Sequence, residues 1–115
     1  MSRPDWVLAV DIGTTATKTL AVTASGEVLA QAEHAYPLHL DGERAEQDPD
    51  DILGAVRRGV AEVSEACGSG CVATSFSAYM HGLLAVDAAG RPRSRCWTWA
   101  DRRSRDQANQ DTRNH

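Results

Sequence analysis

The stretch VLAVDIGTTATKTLAV, residues 7–22, constrains the fold more than any other part of the chain. An apolar run ends in a lone acid, Asp11; a short polar bend follows, and a second apolar run returns at once. Runs of this length, rich in Val, Ile, Leu and Thr and joined by a few polar residues, predict adjacent strands joined by a tight turn. WVLAV (6–10) is continuously apolar, as expected of a strand buried on both faces. KTLAVTA (18–24) alternates in part, SG at 25–26 is a turn signal, and EVLAQAEHAY (27–36) alternates well enough for a third strand. Together they predict a β-meander.

Beyond the meander, PLHLDGERAEQ (37–47) is polar and carries Asp-Gly, which predicts a loop. A helix start follows. Asp48 suits the N-cap, Pro49 the first helical position, and Asp50 and Asp51 the positive end of the helix dipole. Ile52, Val56, Val60, Val63 and Cys67 then recur on one face. Gly54 and Gly59 each weaken a helix by roughly 1 kcal/mol relative to Ala, which points to close packing at these positions. Gly68 and Gly70 end the helix. CVATSFS (71–77) predicts a fourth strand and GLLAVDA (82–88) a fifth, with AGRP (89–92) as its turn. WTWADRRSRDQANQ (97–110) has helix-start residues, but after Trp99 its only apolar side chains are Ala100 and Ala108, so a helix there has no face to bury. The expected order is β-β-β-α-β-β: an α/β chain with a mixed sheet and a helix on one face.

At 115 residues the chain has the size of one small domain. Its net charge of −4 gives no electrostatic reason to expect nucleic acid or an anionic membrane as partner. No run approaches the ~18 apolar residues of a membrane-spanning helix. Asp11 interrupts the first apolar run too early for a signal peptide, so the expected location is cytoplasmic. Cys67, Cys71 and Cys96 lack a fourth ligand at zinc spacing and read as reduced structural thiols.

The bend DIGTTATK carries the chemistry. It matches neither the Walker A pattern nor the dinucleotide fingerprint, since it holds one Gly and leads into a strand. Gly13 can take a positive φ and leave backbone N–H groups open, Thr14 and Thr15 add hydroxyls, and Lys18 adds a cation. That set makes a small phosphate cradle. Asp11 beside phosphates makes sense if Mg²⁺, through water, lies between them. Taken alone, the same residues also read as a hairpin that satisfies its own backbone, with an exposed lysine.

The wider chain favours the first reading. DIGTTATKTLAV resembles the first phosphate motif of the actin, Hsp70 and sugar kinase superfamily. AEQDP (45–49), SAYMHGLLAVDAAGRP (77–92) and WTWADRRS (97–104) resemble stretches of the FGGY carbohydrate kinases, in the family's order and spacing. The last two are most similar to gluconokinases, with xylulokinases next. The resemblance implies a ribonuclease H-like fold in which this chain is the N-terminal part of the first of two domains, with ATP and sugar in the cleft between them. It further implies that Asp11 organises Mg²⁺ and that Gly13, Thr14, Thr15 and Lys18 face the nucleotide phosphates. Met80 and His81 would line the site of a sugar or sugar acid, and Trp99 and Asp101 would shape its wall. His81 has the donor and acceptor that a hydroxyl-rich ligand needs, and Met80 can pack on an apolar sugar face. Each also reads as structural: Met80 as a core filler, His81 as a turn residue. Asp48 and Pro49 are explained by the helix start alone, and Arg102, Arg103 and Arg105 read as a solvated face.

Family members are several times longer, and their catalytic Asp and second domain have no counterpart in this sequence. Two functions of different class are therefore expected. One is the front of an ATP-dependent kinase, acting on gluconate or alternatively xylulose. The other is a non-catalytic remnant or small binding domain, inactive as a kinase by itself because half a cleft cannot exclude water. The polar tail SRDQANQDTRNH, where an apolar face is expected, suggests truncation or non-native sequence at the end.

Overall fold

The structure, a computed structural model, describes residues 4–113. The ends of the N-terminal segment and of the polar tail, residues 1–3 and 114–115, lie outside the described residues. In chain order the elements are β1 (Trp6–Ile12), β2 (Ala16–Thr23), β3 (Val28–Ala35), β4 (His39–Asp41), β5 (Arg44–Gln47), α1 (Pro49–Cys67), β6 (Cys71–Ala78), β7 (Cys96–Trp97) and α2 (Arg105–Arg113). They fall into two units. One holds the residues up to Pro37 with Asp50–Tyr79; the other holds Leu38–Pro49 with the residues from Met80 onward. No helix among the described residues is long and apolar enough to cross a membrane.

The first unit is a four-stranded sheet in the order β3-β2-β1-β6. The meander is antiparallel throughout, and α1 carries the chain across so that β6 lies parallel to β1. This is the mixed sheet that the strand–helix–strand order predicts. The turns sit where the glycines foretell. Gly26 (φ 88°) closes the β2–β3 turn through its N–H to the Thr23 carbonyl, and Gly68 (φ 69°) caps α1 through its N–H to the Ser64 carbonyl.

Trp6, Leu8 and Val10 of β1 and Ala21 of β2 meet Val63 and Cys67 of α1 in the core. Burying a valine such as Val63 contributes about 1.5–3 kcal/mol. The continuous apolar run of β1 is buried on one face only: Trp6, Leu8 and Val10 are buried, whereas Val7 and Ala9 on the other face are half-buried. The buried line of α1 also differs from the expected one. It runs Ala55, Gly59, Val63, Cys67, with Val56 and Val60 beside it and Ile52 only partly covered. Small residues occupy that line because helix and strand touch there: a Cβ on Gly59 would lie 2.4 Å from Thr19 Oγ1. Gly54 has no such neighbour, only the tip of Arg58 at 3.9 Å.

In the second unit a three-stranded sheet runs β4-β5-β7. Residues 37–47, expected to be a loop, hold the β4–β5 hairpin instead. Asp41 pairs with Arg44 across a two-residue bend whose first residue, Gly42, has φ 59°. A glycine with positive φ at that position suits a type II′ hairpin turn. Residues 82–88 are not a strand of their own; Leu83 and Val86 make isolated bridges to Trp97 and Pro92. The turn that follows is where AGRP puts it, with the Asp87 carboxylate accepting the N–H groups of Ala89 and Arg91 at 2.9 Å. α2 forms over residues 105–113 and buries no side chain, in keeping with its missing apolar face.

Candidate functional site

In the first unit, strand register builds the site. Asp11 near the end of β1 stands opposite Lys18 on β2 and Ser77 on β6, and Lys18 stands opposite Glu33 on β3. Paired residues share a face, so Glu33, Lys18, Asp11 and Ser77 form a row across the sheet, on the side away from α1. All four are exposed. Among the described residues no ion pair joins Asp11 to Lys18, which leaves both charges available to a ligand. A depression of about 340 Å³ beside Lys18 is lined also by Leu20, Gln31 and Glu33.

The bend Gly13–Thr15 adjoins this row. Gly13 is not there for a positive φ, as expected from sequence; it falls outside the positive-φ glycines. It is needed for closeness, since a Cβ would lie 3.0 Å from the Ala16 carbonyl oxygen. Nor is its N–H open, because it donates to that same oxygen at 2.9 Å. The Gly13 carbonyl accepts the Tyr36 hydroxyl, and the Thr15 carbonyl accepts the Tyr36 N–H at 3.1 Å. Thr14 is half-buried and Thr15 exposed. Burial pushes the Tyr36 phenol above its ordinary pKa; the hydrogen bond from Thr17 opposes this, and the charge of Asp11 adds to it.

In the second unit, His81, Trp99 and Asp101 come together around a cleft of about 220 Å³, with Leu83, Trp97, Thr98 and Ser104. Met80 does not line it and is exposed. His81 has φ 62°, a left-handed conformation that costs a residue with a Cβ about 1–2 kcal/mol. Strain of this kind gathers at functional positions.

The Asp101 side chain is 4% exposed, and its carboxylate is fully engaged. It accepts the Ala45 N–H at 3.0 Å, the Arg103 N–H at 3.1 Å and the Arg103 Nε–H at 3.0 Å, and Arg103 Nη2 lies 2.8 Å from it as an ion-pair contact. The Arg103 side-chain hydrogen bond is the main reason its pKa falls to about 2, with burial opposing and the backbone N–H groups assisting. Arg103 is therefore not part of a solvated face. Its guanidinium lies 3.8 Å over the Trp97 ring and 3.5 Å from Glu46. Asp101 thus shapes the cleft wall by tying β5 to the segment after β7. Cys96 on β7 is buried, which raises its thiol pKa, with the charge of Asp48 acting in the same direction.

Residues 6–114 match the N-terminal domain of the FGGY family of carbohydrate kinases. The chain belongs to this family. All four stretches that carry the resemblance fall inside the match. The gluconokinase of Bacillus subtilis (strain 168) is 37% identical over 101 residues, covering 86% of this chain and 20% of that protein. A xylulose kinase of Staphylococcus epidermidis is 33% identical over 108 residues, covering 90% and 22% respectively. The crystal structure of gluconate kinase from Lactobacillus acidophilus superposes with a TM-score of 0.86 at 28% identity, over 97% of this chain and 23% of that one. This FGGY chain thus spans about a fifth of the length of these relatives. Its mixed sheet is that of the ribonuclease H-like fold of the actin, Hsp70 and sugar kinase superfamily.

Sequence reasoning missed three contributors to the site. Ser77 and Glu33 enter the row only through register, which the sequence does not display. Tyr36 reaches the bend across 23 residues, with no local signal to give it away.

Proposed function

We propose that this chain supplies the phosphate-binding hairpin and part of the sugar site of an ATP-dependent carbohydrate kinase, as the N-terminal part of that enzyme's first domain. The observation that carries this reading is the row Lys18–Asp11–Ser77 beside the Gly13–Thr15 bend, an exposed cation and an exposed carboxylate side by side with no ion pair between them. Lys18 and the hydroxyls of Thr14 and Thr15 would meet the phosphates. Gly13 contributes close backbone approach rather than an N–H, because its own is spent on Ala16.

The donor set fits Mg²⁺ in one way. Among the described residues no group of three or more His, Cys, Asp or Glu gathers into a metal site, and Asp11 is the carboxylate that stands beside the bend. Mg²⁺ keeps several waters and is held by one or two carboxylates together with substrate phosphates. Asp11, acting through water, would hold it, and the bound ion would neutralise phosphate charge. The chain's own part is positioning: phosphoryl transfer gains chiefly from alignment and charge stabilisation.

His81 and Trp99 would face the sugar, while Asp101 holds the wall and Met80 stays outside the cleft. Gluconate is the substrate favoured by the gluconokinase likeness, with xylulose as the alternative. A sugar acid needs a cation for its carboxylate. Arg103 is not that cation, since Asp101 and Glu46 already neutralise it. The same resemblance supports a cytoplasmic location. The test is Asp11→Asn in the protein expressed from its native gene. The expected result is a kcat reduced at least a hundredfold with sugar KM nearly unchanged; an unchanged kcat removes Asp11 from the metal role.

A further inference from the structure

Tyr36 does more than fill space behind the hairpin. It follows β3, is buried, and binds both carbonyls that flank Thr14. Its hydroxyl has one proton, which goes to the Gly13 carbonyl, so the 3.3 Å contact with Thr17 Oγ1 has Thr17 as donor. The result is a hydrogen-bond relay from Thr17 through Tyr36 to Gly13, in which each bond strengthens the next. Its backbone N–H takes the Thr15 carbonyl as well.

The consequence lies in peptide geometry. In a trans peptide the C=O and the following N–H point in opposite directions. Pinning the Gly13 and Thr15 carbonyls toward Tyr36 turns the N–H groups of Thr14 and Ala16 away from it. It also keeps two carbonyl oxygens, which would repel an anion, from turning outward at the bend. We propose that Tyr36 is a positioning residue for the phosphate hairpin, fixing the Gly13–Thr15 carbonyls inward so that the bend can accept nucleotide phosphates. This rests on the phosphate reading of the bend given above, and adds a residue outside the motif on which the motif's geometry depends.

Tyr36→Phe keeps the ring and removes the hydroxyl. Hydrogen–deuterium exchange over residues 7–22 of the full chain reads the bend without any nucleotide. Exchange at the Gly13 N–H, which donates to the Ala16 carbonyl across the bend, should rise about tenfold, the worth of one hydrogen bond. In the protein expressed from its native gene, MgADP affinity by calorimetry should fall about tenfold and kcat with it, while sugar KM stays the same. Thr17→Val, which removes only the relay's first donor, should move both readouts the same way by a smaller factor, and serves if the Phe variant does not fold. Faster exchange with unchanged MgADP affinity overturns the positioning role yet leaves the phosphate reading standing, provided Lys18→Ala still weakens MgADP. Unchanged exchange overturns the proposal at its structural root. If the unmodified protein does not bind MgADP, the phosphate reading fails and the proposal fails with it.

Discussion

The two glycines inside α1 should respond in opposite directions to the same substitution. At Gly59 a new Cβ would lie 2.4 Å from Thr19 Oγ1 and 3.1 Å from Thr19 Cβ. Rotating the threonine relieves the first contact and not the second, so helix and strand must separate. Overpacking of this kind costs about 1–3 kcal/mol, and the helix regains about 1 kcal/mol from replacing glycine with alanine. Gly59→Ala should therefore destabilise by up to about 2 kcal/mol, which lowers Tm by roughly 4–8 °C per kcal/mol in a domain near this size. At Gly54 the only neighbour is the flexible end of Arg58 at 3.9 Å. Gly54→Ala keeps the helix gain and should stabilise by about 0.5–1 kcal/mol. Urea titrations of both variants, followed by the fluorescence of Trp6 in the core, give the comparison. Thr19→Ala combined with Gly59→Ala should recover part of the loss. Two stabilised single variants would refute the close-contact argument.

Acid should loosen the second unit through Asp101. Its folded pKa is about 2, below the ordinary 3.8. It therefore contributes stability that is fully present above pH 4 and lost as pH falls through about 2, worth on the order of 1–2 kcal/mol after solvent screening. Asp101→Asn should abolish that part of the acid transition, read by circular dichroism, and lower stability at pH 7. His81→Gly relieves a left-handed residue and should leave thermal stability unchanged or raise it by up to about 1 kcal/mol. The same variant should lose most sugar-dependent turnover, whereas His81→Ala should lose turnover without the gain in stability.

The first unit was legible because its signals are periodic. The meander, the Asp48–Pro49 helix start, α1 and β6 all follow from runs long enough to carry a pattern, and Gly59 announced its close contact by being costly in a helix. The second unit was much less so. β4 is fully exposed and β5 buries Ala45 and the polar Gln47, so the hairpin shows no apolar alternation in its sequence. Its segments are held by bonds such as Asp101 to the Ala45 N–H, 56 residues apart, which no local window contains. The same reason hid Arg103, which looks solvated among neighbouring arginines until Asp101 and Trp97 are seen against it. Gly13 shows the opposite limit: the residue type was informative, but its use is closeness rather than positive φ.

The most direct test of the account is sugar-dependent ADP release. The protein would be isolated from its source cells with an antibody to residues 1–100 and supplied with MgATP and, in turn, gluconate and xylulose. The account predicts ADP release stimulated by one of these, gluconate foremost, and abolished in the Asp11→Asn protein. ADP release that no sugar stimulates, or that survives the loss of Asp11, would contradict it.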